Sequence, residues 1–211
     1  MEYWQEFLII AGVHFLAVAS PGPDFAIVLK QSIRYGRRSA IFTSIGIGTG
    51  ILVHVAYSLI GIGILIASNE QLFNLLKYIA ATYFLYIAWH GLNAKAESHE
   101  QQFTQFHHEK ITPSAFKAFL TGFLINALNV KATLFFVSLF SMVISIKTPL
   151  SIKLFYGIYM ALATAAWFSA LSYFLSIEQF RQFLLKKGYW LDRIMGLILL
   201  ILAIELLTTS L

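Results

Sequence analysis

Cysteine is absent from all 211 residues. Disulfides and thiolate ligands are therefore excluded, and the redox compartment goes unread. Charge is scarce as well: charged residues make up 12% of the chain, against about 25% in soluble domains, which points to lipid as the solvent. Residues 1–29 contain Glu2, Glu6 and Asp24 but no Lys or Arg. A signal peptide needs a basic first region, so Ala17-Val18-Ala19 before Ser20 is not read as a cleavage site and the segment is expected to stay in the mature chain. No G-x-x-x-x-G-K-[ST] loop occurs, so the sequence carries no signature of an ATP-driven machine.

What is present is apolar. Hydrophobic residues reach 58%, and Ala40–Ala67 and Leu154–Ile177 are runs without Asp, Glu, Lys or Arg. Each exceeds the ~20 residues that cross a bilayer core. The runs are continuous, whereas a β-barrel needs alternating segments of ~10 residues. The expectation is an all-α polytopic membrane protein with six transmembrane helices. The predicted spans are Phe7–Leu29, Ala40–Ala67, Leu72–Leu92, Ala115–Ile146, Leu154–Ile177 and Trp190–Thr208.

Basic residues set the expected orientation. Lys30, Arg34, Arg37 and Arg38 fall in the first loop, Lys95, Lys110 and Lys117 in or beside the third, and Arg181, Lys186, Lys187 and Arg193 in or beside the fifth. Lys77, Lys147 and Lys153 lie on the other side. Odd-numbered loops are thus expected in the cytoplasm and both termini outside it. The net charge of +5 is explained by those loops, so nucleic acid is not an expected partner. The whole chain reads as one transmembrane domain: a first repeat over 1–95, a cytoplasmic loop over 96–113 and a second repeat over 114–211. With an odd number of spans in each repeat, the second must insert upside down relative to the first, the inverted-repeat arrangement.

Two stretches interrupt the apolar pattern at matching places. The first is Ser20-Pro21-Gly22-Pro23-Asp24. Pro21 and Pro23 lack an amide proton and clash with the preceding turn, and Gly22 loosens the backbone between them. The second is INALNVK at 125–131. Laying Gly22-Pro23-Asp24 over Asn129-Val130-Lys131 sets an acid opposite a base. Unwound backbone in hydrocarbon leaves amides and carbonyls costing several kcal/mol each unless protein or a wet cavity satisfies them, so two breaks imply a polar cavity. Asp24 and Lys131 are expected either to pair with each other or to bind opposite ends of a zwitterion, with Asn126 and Asn129 as uncharged donors and acceptors beside them.

Other candidates are less decisive. His14 and His54 lie within spans and titrate near physiological pH; each reads as a proton relay or as a hydrogen-bond donor between helices. Gly46, Gly48 and Gly50 read as helix-packing residues, with Gly46-x-x-x-Gly50 forming the close-approach motif. Tyr156, Tyr159 and Trp167 either line a cavity or pack in lipid. His107-His108-Glu109 is a weak metal motif with no distant fourth ligand, and no metal site or cofactor is expected.

With these residues in view, the chain resembles the LysE/RhtB family of bacterial amino-acid exporters. The resemblance rests on His14 followed by SPGPDF at 20–25, IRYGRRSAIFTSIGIGTG at 33–50 and FLTGFLINALNVKA at 119–132, and it runs through essentially the whole chain. It implies a proton-driven secondary transporter in the bacterial inner membrane, exporting amino acids of the threonine, homoserine or lysine type. It also implies site roles for Asn126, Asn129 and Lys131. Members typically carry Asn-Pro-Lys where this chain has Asn129-Val130-Lys131, and the missing proline predicts a more helical second break.

Three other classes compete. A metal-cation exporter wants several carboxylates or histidines together, and the spans offer only Asp24, Glu205 near an end and two separated histidines. Export of another small metabolite stays open as an alternative. A membrane enzyme would need a nucleophile with its base or a ligand cluster, and neither is found. Monomer and homodimer are both compatible with the sequence.

Overall fold

In the computed structural model, residues 3–20, 22–68, 70–95, 112–145, 147–175, 177–187 and 189–208 are described. Pro21 and the His107-His108-Glu109 motif lie outside them, as does most of the expected 96–113 loop. Every regular element among the described residues is a helix: α1 (Tyr3–Ala19), α2 (Pro23–Tyr35), α3 (Arg37–Ser68), α4 (Glu70–Leu92), α5 (Ala115–Ala127), α6 (Val130–Val143), α7 (Leu150–Phe174), α8 (Glu178–Lys187) and α9 (Tyr189–Thr208). The stretches Arg37–Ile60 and Leu150–Phe174 are each long and apolar enough to cross a membrane. Two helix pairs pass the same measure jointly although each is bent, α1 with α2 by 52° and α5 with α6 by 58°. Large apolar side chains such as Ile60, Trp89, Phe155, Ile158 and Leu162 face outward, which suits a surface solvated by lipid tails.

The first bend follows from its residues. Ser20 still donates its amide to Leu16 (3.0 Å), and α2 then begins afresh with Ala26 N–H to Gly22 O (2.9 Å). Pro23 stands in the first turn of α2, where a missing amide costs nothing. A second turn separates α2 from α3 at Gly36, whose φ of +83° lies in the left-handed region that only glycine enters freely.

The second break lies where the sequence places it, but the more helical course expected without proline at 130 does not carry the helix through: α5 stops at Ala127. Asn129 turns back to bond Asn126 O through its own amide (2.8 Å). Its side-chain oxygen then accepts from Lys131 N (3.0 Å) and Ala132 N (3.4 Å). An asparagine N-cap restarts the helix without proline, because it satisfies the amides that a helix start leaves open. The other departure is α8, in a basic stretch read as a loop. Phe180 gives this short helix an apolar anchor, its ring 5.1 Å from that of Phe174.

Helix α3 is the element against which the others are placed. A methyl at Gly46 would overlap the Phe119 backbone of α5, and one at Gly122 would overlap Thr43 of α3. These helices therefore touch backbone to backbone, locked by Thr43 Oγ1 donating to Ala118 O (3.0 Å). Against α7, a methyl at Gly48 would come within 2.6 Å of Ala161 O. Gly91 and Gly196 bring α4 and α9 together in the same manner. Two apolar clusters fill the interior, one around Phe84, Phe136, Leu139 and Tyr156 and one around Phe25, Leu29, Ile47 and Phe168.

One end of the molecule is tied shut by a carboxylate that sequence reasoning passed over. Glu6 of α1 is 0% exposed. It accepts from Ser145 N (3.1 Å) and from Thr148 Oγ1 (3.0 and 2.9 Å) in the α6–α7 connection. Beside it, Tyr156 donates its hydroxyl to Tyr3 O (2.7 Å). A buried carboxylate persists only where donors replace its water, and here they come from the far side of the bundle.

The glycine contacts carry a stability prediction. Gly46→Ala is expected to destabilise the protein by about 1–3 kcal/mol through overpacking. Gly12→Ala on α1, where nothing stands within 4 Å, should be neutral or slightly stabilising. Thermal unfolding of both variants in detergent, side by side, checks this.

Candidate functional site

The two bends face each other across one cavity. Ser20, Gly22, Pro23 and Asp24 line it from the first break, and Asn126, Asn129 and Lys131 from the second. Of the residues singled out in sequence, His14 also reaches the cavity. The glycines at 46 and 48 serve helix packing elsewhere, and His54 stands behind the wall.

The charged groups do not form the simple pair considered from sequence. Asp24 Oδ2 accepts from Asn126 Nδ2 (2.9 Å), so the first break is tied to the second through an amide. Asp24 Oδ1 is buried and has no hydrogen-bond partner. The Lys131 ammonium lies over Gly22, where an added methyl would be 3.8 Å from Nζ. Two carboxylates, Asp192 and Asp24, stand near enough to attract that ammonium. Asp192 is a site residue that sequence reasoning missed. It sits in the first turn of α9 and accepts from the Ser20 hydroxyl. Its one sequence signal is an acid at the start of an apolar run, next to Arg193.

Behind the wall, α3 cradles Asn126. Gly50 leaves room for its side chain, since a methyl there would meet Asn126 Oδ1 at 2.7 Å. One turn further along α3, His54 Nε2 lies 2.8 Å from Asn126 O. A carbonyl oxygen only accepts, so Nε2 carries the proton. His54 Nδ1 meets the Tyr57 hydroxyl, and Tyr57 in turn bonds Thr133 of α6. The His54–Tyr57 pair thus touches the end of α5 and the start of α6 at once. His14 is held differently: its Nε2 bonds Thr164 Oγ1 of α7 (3.1 Å). Phe136 stands between the two imidazoles, its centroid 6.1 Å from that of His14 and 5.6 Å from that of His54.

Chemically, the cavity offers at its polar end one ammonium and one carboxylate with an unpartnered oxygen, and a second carboxylate, Asp192, stands behind Ser20. The remaining wall is apolar, formed by Ile51, Ile87, Phe135, Phe136, Phe168 and Leu199. Among the described residues, no three His, Asp or Glu side chains gather as metal ligands do. The arrangement suits holding a small charged molecule reversibly, with each of its charged ends met by protein.

A bundle of apolar helices with two broken members and opposite charges at the breaks defines a membrane translocator. Residues 15–210 match the family described as LysE type translocator, and the chain belongs to that family. Among its relatives, the threonine efflux protein of Escherichia coli strain K12 is 27% identical over 193 residues, covering 90% of this chain and 91% of that protein. The leucine efflux protein of Salmonella choleraesuis is 31% identical over 151 residues, 71% of this chain and 66% of its own length. YahN, an uncharacterized membrane protein of Escherichia coli strain K12, is 25% identical over 94% of this chain and 87% of its own. No solved structure matches the chain.

The second break supplies its own test. Val130 is the first residue of α6, the position where proline is best tolerated, and Asn129 before it is already extended at φ −75°, ψ 105°, as a residue preceding proline must be. Val130→Pro should therefore leave stability unchanged or raise it by up to about 1 kcal/mol. Asn129→Ala, which removes the cap, should cost about 0.5–2 kcal/mol. Unfolding midpoints of the two variants check both signs.

Proposed function

We propose that this protein is a secondary transporter that exports small amino acids from the cytoplasm, with protons moving in exchange. The carrying observation is the juxtaposition of Asp24, with its unpartnered buried oxygen, and Lys131 in one cavity, contributed by two different helix breaks. A zwitterion is the smallest common molecule that answers both charges.

The reading assigns the ends of the substrate. Its ammonium goes to Asp24 Oδ1, which lacks a donor. Its carboxylate goes to Lys131, helped by the Asn129 amide, whose oxygen is committed to capping α6. Asn126 belongs to the ammonium side in this reading, because its amide nitrogen already holds Asp24. Ser20, Gly22 and Pro23 shape the opening. His54 acts by holding Asn126, and His14 stays a candidate for proton passage. Two carboxylates stand against one ammonium, so a proton can neutralise Asp24 once the substrate has left, and that is the return step. The relatives named for threonine and leucine efflux support amino acids as the cargo.

In architecture the proposal is six spans in two inverted repeats, 1–95 and 114–211, joined by a cytoplasmic loop at 96–113. The chain then sits in the bacterial inner membrane with both termini outside the cytoplasm. Alternating access follows from rocking one repeat against the other about the breaks. The Glu6 ties would part when the outer side opens.

Proteoliposomes loaded with a mixture of labelled amino acids test this reading. Gradient-dependent loss of one or a few of them is expected. Asp24→Asn, a near-isosteric change that removes the charge, should abolish gradient-driven loss in a protein that unfolds at a similar temperature. Wild-type vesicles that retain every amino acid, or Asp24→Asn transport at the wild-type rate, would contradict it.

A further inference from the structure

Beyond its charged end, the cavity says what kind of side chain it takes. An amino acid anchored between Asp24 and Lys131 must place its side chain against the rest of the wall, and that wall is drawn from α3, α4, α6, α7 and α9: Ile51, Ile87, Phe135, Phe136, Phe168 and Leu199. Five of these, Ile51, Ile87, Phe135, Phe136 and Leu199, belong to the large apolar cluster around Phe84 and Leu139, while Phe168 belongs to the other cluster. The side-chain region is thus where the two cores of the molecule meet, and its lining is hydrocarbon.

Polar exceptions in this region are His14 and Thr164. They are bonded to each other at 3.1 Å and are only 2% and 1% exposed. A substrate hydroxyl could be satisfied there only by breaking that bond, since a buried polar group without a partner costs free energy. A substrate ammonium fares worse. Among the lining residues the sole carboxylate is Asp24, which the α-ammonium already occupies; Asp192 stands outside the lining and is engaged by Ser20 and Lys131, so a second buried cation would lack a counter-ion of its own. A substrate carboxylate meets the same difficulty, because Lys131 is the sole cationic lining residue and is taken by the α-carboxylate.

We infer that the preferred substrate is a neutral amino acid with an aliphatic side chain of leucine size, and that Ile51 and Ile87 are specificity-determining residues for it. The inference rests on the exporter reading above and narrows it. Threonine and homoserine bury a hydroxyl against hydrocarbon, and lysine buries a charge. Apolar pockets discriminate by about tenfold or more for each methylene gained or lost, and a leucine side chain differs from that of threonine by at least that much contact.

The test is loss of labelled L-leucine, L-threonine and L-lysine, each loaded separately into proteoliposomes, together with the unfolding temperature of the detergent-solubilised protein in each amino acid. Leucine is expected to leave about tenfold faster than threonine or lysine at equal subsaturating concentration, and to raise the unfolding temperature most. Ile51→Thr, which keeps the branched shape and adds a hydroxyl, should lower the leucine-to-threonine ratio several-fold. Ile87→Thr on a different helix serves the same purpose should Ile51→Thr not fold. Threonine or lysine leaving as fast as leucine overturns this inference and spares the exporter reading. A leucine preference unchanged in a folded Ile51→Thr or Ile87→Thr variant overturns the assignment of the wall. If none of the three, and no member of a wider amino-acid mixture, leaves the vesicles, the exporter reading fails and takes this inference with it.

Discussion

A peptide group in hydrocarbon has no water to bond, so a membrane helix can be broken only where something else meets the freed amides and carbonyls. That requirement governs this molecule at two places, and they are solved differently. At the first, prolines and glycine remove or relocate the demand: Pro23 has no amide to satisfy, and α2 starts on Gly22. At the second there is no proline, and the demand is met by side chains. Asn129 caps the new helix and its amide bonds the Asn126 carbonyl, to which His54 adds a second donor from α3. The cavity exists because both solutions stand side by side.

The rest of the bundle is arranged to hold those solutions in register. Gly46 and Gly122 let α3 and α5 meet backbone to backbone, which brings His54 and Gly50 to the end of α5. The same face of α3 therefore does two jobs one turn apart, close packing at Gly46 and cradling of Asn126 at Gly50 and His54. Asp24 is then held by Asn126 and Ser20 by Asp192, so each polar group at the first break leans on another element. At the other end of the molecule Glu6 ties α1 to the α6–α7 connection.

Much of this was legible from residue order alone, because backbone chemistry is local. Prolines, glycine and a capping asparagine act within a turn of where they stand, so both breaks could be placed to within a few residues, and the glycine spacing on α3 pointed to a close helix contact. The basic stretch beyond Ile177 was misread because its helical periodicity rests on two phenylalanines among charges. Partnerships between distant residues were not legible. Asp24 and Lys131 invited pairing by their matching places, yet Asn126 intervenes, a choice set by how closely α3 presses α5. Asp192 and Glu6 lie near helix ends, where acids usually meet water; only the packed bundle shows one bonded to Ser20 and the other fully enclosed. The absence of proline at 130 suggested a more helical second break, whereas a side-chain cap suffices to end one helix and start the next.

The central claim is that the space between the two breaks is a water-accessible site for substrate. The chain contains no cysteine, so a single introduced thiol reports without background. Ala132, which lines the cavity from α6, is the position to use. The account predicts that Ala132→Cys in membranes reacts with a small charged thiol reagent, and that a transported amino acid slows the reaction in proportion to its occupancy. A thiol that stays unreactive in the folded protein, or one whose labelling no amino acid alters, would contradict it.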